Sequence, residues 1–279
     1  MPPIPTAQRF LPAVARVLDS HGTRLAGARV ALSPSDPPAL RDALRSAGAE
    51  VVDTESAPMV RALAASRVVQ DVRTHAWAQQ AVLAVARATN LSIAHTRVLV
   101  AGAGPVAAAL ATILSGMGAR TAVAGGDAAA LHALSRHVPS VRVDPEPAVE
   151  SDVVIVFATG EGSRIDPARL GHGAPLVLVD ARLPGAAAAP VVPADGPAVR
   201  PGLRTVPAGF RDVVLLDVAA GRDDAWDLAV EDAGVGFGLA LLALASPAQR
   251  LAADDVDAAL VAAADDALAR ALLDAGSPA

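Results

Sequence analysis

Hydrophobic and polar positions alternate between two rhythms along the chain. Residues 7–19 place Phe10, Val14 and Val17 at helical spacing, which predicts an amphipathic helix. A short β-rich run at 28–34 follows, then a helix at about 38–47 stopping near Gly48, then a strand at 49–54. This strand–helix–strand order implies a small α/β unit with parallel pairing. A run at 66–71 (SRVVQD) reads as a third strand of that sheet, and 73–89 as one long helix without Gly or Pro. Continuous apolar runs at 96–101, 140–144, 152–159 and 175–181 suit strands buried on both faces. Weaker strand candidates lie at 199–207 and 212–218, after a Pro-rich loop or flap at 185–202. Residues 227–245 and 247–275 read as helical.

The sharpest local signal is Gly102-Ala103-Gly104-Pro105-Val106-Ala107, a G-x-G-x-x-A turn that follows the strand RVLVA and opens the helix VAAALATILSGMG. Gly102 permits the tight turn, and Gly104 lets backbone approach a pyrophosphate. Ala107 allows helix and strand to pack closely, while the helix N-terminus offers N–H groups and a positive dipole end. Pro105 suits the first helical position but removes one phosphate donor. The turn in this context predicts a dinucleotide site, with NAD favoured and NADP possible. The acid expected on the ribose is Asp127, 25 residues beyond Gly102. No Arg follows until Arg136, so a 2′-phosphate pocket is not evident.

These elements predict an α/β fold: a Rossmann-like, doubly wound parallel sheet, a smaller N-terminal α/β unit, and C-terminal helices packing back on that unit. The expected divisions are 1–90, 91–225 and 226–279.

Composition narrows the chemistry. The chain has 279 residues, no Cys, no Tyr, and 23 basic residues that are all Arg. Without Cys there are no disulfides and no thiolate nucleophiles. Without Lys there is no Schiff base, no P-loop and no Tyr–Lys proton relay. A net charge of −6 argues against a nucleic-acid partner. No apolar run reaches membrane-spanning length and the N-terminus lacks a secretory pattern, so a cytoplasmic protein is expected. The expected partners are a small-molecule substrate and a second copy of the chain, as a homodimer.

Resemblance enters through three stretches. A helix ending Arg87-Ala88-Thr89-Asn90, the segment RVLVAGAGPVAAAL, and then DVVIVFATGEGSRID are together similar to the NAD-binding domain of S-adenosylhomocysteine hydrolase. The similarity spans about residues 67–240 and is densest at 80–165. It shades into the wider formate/glycerate dehydrogenase-like group, and PLVLVDARLPG resembles the dipicolinate synthase family. The resemblance implies that Thr159-Gly160 lies near a nicotinamide. Departures from the hydrolase are substantial. Gln70 stands where the family has its Lys, Asp71 matches the family's Asp only approximately, and DARLPGAAAA holds no His. The family's C-terminal Lys–Tyr arm cannot exist here. The resemblance therefore implies a cofactor domain without the hydrolase's chemistry.

The remaining candidates are ionisable. His75 begins the long helix four residues after Asp71, and a His of ordinary pKa suits acid–base work beside hydride transfer. Asp180 and Arg182 end a strand, where open α/β sheets bind ligands, and Arg182 could hold a carboxylate. Glu161 follows the Thr159-Gly160 loop. A capped helix end explains His75 equally well, and solvated loop charges explain the others. Asp254, Asp255, Asp257, Asp265 and Asp266 read as helix caps rather than metal ligands. The leading expectation is an NAD(P)-dependent oxidoreductase of a small polar metabolite. The alternatives are a non-hydrolytic partner or sensor, and a lyase or epimerase using bound NAD as an internal redox agent.

Overall fold

Four of the five residues of strand β3 (Arg97–Ala101) are buried, and all four of β6 (Ile155–Ala158) are. Such unbroken burial is what a strand covered on both faces requires, and it explains the apolar runs. In the computed structural model, which describes residues 10–55, 58–160, 164–185, 196–200, 202–206, 211–251 and 257–276, these strands centre an eight-stranded sheet. The other six are β4 (Arg120–Gly125), β5 (Ser140–Val143), β7 (Leu176–Asp180), β8 (Ala198–Arg200), β9 (Leu203–Val206) and β10 (Val213–Asp217). The order is β5-β4-β3-β6-β7-β10-β9-β8. Every pairing from β5 to β10 is parallel, while β9 and β8 add an antiparallel hairpin.

The first six positions reproduce the 3-2-1-4-5-6 order of doubly wound dinucleotide folds. The fold is a mixed α/β, Rossmann-like one, as the apolar runs predict. Helix α5 (Pro105–Gly116) joins β3 to β4, and α6 (Ala128–Leu134) joins β4 to β5. The chain then crosses to the other side of β3 and continues at β6, so the topological switch point lies between β3 and β6. Leu99, Val156, Leu178, Leu215, Ile165 and Leu170 fill the core on one face.

The chain divides into two compact units, Thr74–Asp223, which carries this sheet, and Pro2–Arg73 with Asp224–Ala279. In the second unit β1 (Arg29–Leu32) pairs in parallel with β2 (Glu50–Asp53). Helix α2 (Pro38–Ser46) connects them. Helices α1 (Phe10–His21), α7 (Asp224–Leu244) and α9 (Ala258–Gly276) pack on one another, and α7 also meets α2. A Cβ on Gly236 would lie 2.9 Å from Leu268 Cδ1, and one on Gly238 2.8 Å from Leu40 Cδ2. The bare backbone of α7 thus admits leucines from α9 and α2.

Residues 66–71 correct the expectation of a third strand. They belong to the helix α4 (Arg67–Thr89), and the preceding residues form another helix, α3 (Pro58–Ala65). Val69 and Val72 are buried at helical spacing, so a short apolar run resolved into a helix face. The start of α4 is capped twice. Val69 N donates to Ser66 Oγ at 3.1 Å, and Ser66 Oγ donates to Asp265 Oδ1 at 2.5 Å. The Arg67 amide donates to Asp265 Oδ2 at 2.9 Å and that of Val68 to Oδ1 at 3.4 Å. A capping carboxylate contributes about 1–2 kcal/mol. Asp265→Ala should therefore lower the urea midpoint by that equivalent with the slope unchanged. A variant as stable as wild type would show that the cap contributes nothing.

Asp257 caps α9 through the Ala259 amide at 2.9 Å, and Asp266 pairs with Arg270 at 2.5 Å. Asp254 and Asp255 lie outside the described residues. Among the described residues no three metal-ligating side chains gather. No described helix is long and apolar enough to cross a membrane.

Candidate functional site

The turn after β3 is held by a contact that only glycine allows. Gly102 has φ +146°, and its N–H donates to Ala124 O of β4 at 2.8 Å. A Cβ there would lie 1.9 Å from Thr159 Oγ1 and 3.2 Å from Thr159 Cβ. Thr159 follows β6 directly and is 3% exposed. Its amide donates to Ala101 O at 3.0 Å, and its hydroxyl approaches the same oxygen at 3.3 Å. The tips of β3 and β6 therefore close on each other at the switch point, with Gly160 next in sequence at φ +73°.

Gly104 stands at the N-cap of α5 in extended backbone, φ −87°, and Pro105 is the first helical residue. Val106 and Ala107 are buried against the sheet, which lets the helix N-terminus approach β3 closely. Gly125, at the tip of β4, is constrained too. A Cβ there would come within 3.0 Å of Gly102 C and 3.1 Å of Ala103 Cβ. A side chain at this tip would thus press on the glycine turn, which explains why no acid stands at Gly125. Asp127, two residues on, is exposed and caps α6. Its Oδ1 accepts from the amides of Ala129 and Ala130, each at 3.0 Å. Only the other oxygen, Oδ2, remains available for a ribose.

At the carboxyl end of β7, Asp180 and Arg182 form a fork. Arg182 Nε donates to Asp180 Oδ1 at 2.8 Å, and Nη2 donates to Oδ2 at 2.6 Å. The pair is largely buried, with side chains 14% and 23% exposed. The hydrogen bonds that Arg182 donates to Asp180 raise the guanidinium pKa further above its ordinary value. Asp180 thus occupies two donors of the guanidinium that was expected to hold a substrate carboxylate. Asp217, in register with Asp180 at the end of β10, brings a second carboxylate to the same edge. Its Oδ1 caps the turn that follows, accepting from Ala219 N at 2.9 Å. Sequence reasoning passed over Asp217, although it ends the apolar run DVVLLDV as Asp180 ends PLVLVD.

Trp77 is fully buried, and its indole Nε1 donates to Ala181 O at 2.9 Å, tying α4 to the tip of β7. His75 is exposed and stands two residues earlier, about 200° round the helix from Trp77. It therefore points away from the face that docks on β7. Asp71 is exposed and belongs to the other unit. Asp180 and Arg182 are brought together at the tip of β7, and Asp71 and His75 lie one turn apart on α4. Glu161 lies outside the described residues.

No protein-family model matches the chain, and no curated protein does. Solved structures are similar to it at low identity. A dipicolinate synthase structure from Bacillus halodurans matches 54% of this chain at 14% identity and a TM-score of 0.34. One of dipicolinate synthase from Bacillus subtilis matches 74% at 12% identity and 0.36. A transhydrogenase from Sinorhizobium meliloti matches 77% at 15% identity and 0.44. The chain covers 50%, 63% and 69% of these three, respectively. The likeness concerns fold only, and the strand order of the sheet carries that conclusion independently. None of these three is an S-adenosylhomocysteine hydrolase.

Proposed function

We propose that the protein binds NAD at the Gly102–Ala107 turn and acts as an oxidoreductase on a small polar metabolite. The observation that carries this reading is the packing of Gly102 against Thr159 at the switch point, which leaves backbone rather than side chains at the mouth of the crevice. Such a cradle fits a pyrophosphate, which the amides at the start of α5 would hold. Asp127 Oδ2 takes a ribose hydroxyl, and the absence of Arg between Asp127 and Arg136 in the sequence favours NAD over NADP. When bound, the cofactor supplies hydride transfer. Thr159 and Gly160 border its nicotinamide end, as the family resemblance implies.

Asp180, Arg182 and Asp217 form the charged floor beyond that position. Asp180 holds the Arg182 guanidinium in place and Asp217 adds a second acceptor, so the floor offers hydrogen-bonding groups to a polar substrate rather than a net positive charge. His75 is the less supported acid–base residue, since it faces away from Ala181. His75→Ala is expected to leave NAD affinity within a factor of about two, the scatter of ordinary surface substitutions (±0.5 kcal/mol). A larger loss would place the imidazole at the cofactor.

A second reading, a cofactor-holding partner or sensor without turnover, is favoured by the Asp180–Arg182 fork, whose charges already answer each other. Mass spectrometry of the supernatant from denatured protein separates the possibilities. Exchangeable NAD supports the dehydrogenase, whereas stoichiometric retained NAD supports internal redox catalysis. Binding that no candidate hydroxy or keto acid perturbs supports the sensor. Hydrolase chemistry is not expected: without Lys, incubation with S-adenosylhomocysteine should release no homocysteine.

A further inference from the structure

A second polar site lies at the opposite edge of the large sheet from the glycine turn. Arg97 and Arg120 are the first residues of β3 and β4 and stand in register on adjacent strands. A cleft of about 470 Å³ opens beside them, lined also by Arg142, His137, Ser140 and Thr121. That volume falls within the range of small-molecule pockets, about 300–1,000 Å³. The crossover at residues 144–154, between β5 and β6, contains no helix, which leaves this corner of the sheet open.

The charges of the cleft do not balance. Like charges on neighbouring strands repel unless each is answered. Arg97 is answered twice, by Glu150 at 2.9 Å and by Asp152. Arg142 approaches Glu150 at 3.4 Å and donates to Ala148 O at 2.7 Å. Glu150 thus serves two arginines. Arg120 has no carboxylate within ion-pair distance among the described residues. Thr121, beside it in β4, is 5% exposed, and its hydroxyl is buried without a partner among the described residues. A buried hydroxyl without a hydrogen-bond partner is destabilising. An exposed, unanswered guanidinium at a cleft of metabolite size is a donor group awaiting an acceptor.

We propose that this cleft is an oxyanion site, in which Arg120 takes the phosphate or carboxylate group of a small metabolite. The inference does not depend on the cofactor reading, because the cleft lies at the amino ends of the strands. Its position suits an effector rather than a substrate at the opposite crevice.

The test is the thermal midpoint of the full chain during titration with inorganic phosphate or malonate, with sodium chloride holding ionic strength constant. Wild type should show a saturable rise with at least one anion, because binding to the folded state alone stabilises it by mass action. Phosphate alone would assign a phosphorylated ligand and malonate alone a dicarboxylate. Arg120→Gln changes an exposed side chain and should fold normally while losing at least tenfold in apparent affinity. Gly104→Val should retain the effect. No rise with either anion beyond the chloride control overturns the proposal, as does a rise that survives in Arg120→Gln. A rise abolished by Gly104→Val would mean that the anion sits at the glycine turn, and overturns it equally.

Discussion

Gly104→Val is expected to weaken NAD binding by roughly 100-fold or more, equivalent to about 2.7 kcal/mol, while the protein stays folded. Position 104 has φ −87° and extended backbone, which valine adopts readily. Gly104 makes no side-chain cap, so the folded state loses no hydrogen bond. The whole effect should fall on whatever approaches that backbone. A branched side chain there stands where the pyrophosphate must lie against the N-terminus of α5. Gly102→Ala makes the contrast. Its Cβ would meet Thr159 in a buried contact at a φ of +146°, so that variant should lose stability as well as affinity. Circular dichroism and thermal melts beside calorimetry separate the two outcomes. Unchanged affinity in folded Gly104→Val would remove the turn from the site.

Arg211→Met is expected to destabilise the sheet-bearing unit by on the order of 3 kcal/mol, lowering the thermal midpoint by roughly 10 °C. Arg211 is 6% exposed and has no carboxylate partner among the described residues. Burial pushes its guanidinium pKa down from the ordinary value. It donates instead to backbone oxygens: Ala174 and Val153 at short range, and Glu150 and Leu170 at 3.4 Å each. One side chain thus ties the segments before β6 and β7 to the segment before β10. Methionine keeps the apolar stem but leaves those carbonyls without their donor, and each buried unpaired group costs about 1–3 kcal/mol. A midpoint within about 2 °C of wild type would show that water replaces Arg211 at no cost.

Strands β3, β6 and β7 were legible because burial on both faces forces unbroken apolar runs, whereas β5, expected to be buried in the same way, is a largely exposed edge strand, and β10 was only a weaker candidate. The glycine turn was legible because its spacing is dictated by backbone approach rather than by side-chain identity. The helix over residues 67–72 was not. Val68, Val69 and Val72 fit a strand as well as a helix, and what decides is Asp265, nearly two hundred residues away. The strand order was equally out of reach, since pairing is set by packing between distant segments. At the site, the spacing of Asp180 and Arg182 suggested a guanidinium open to substrate. Only the folded geometry reveals that the two residues pair with each other. The role of Gly125 was not legible either, since its tight approach to Gly102, which a side chain would press on, appears only in the folded chain.

The most direct test of the central claim is a calorimetric titration of NAD into the purified wild-type chain, after any retained nucleotide has been removed by unfolding and refolding. The glycine turn at the β3–β6 switch point predicts one site per chain, saturating below millimolar NAD. Heat indistinguishable from dilution up to several millimolar, in protein whose thermal melt shows that it has refolded, would contradict it.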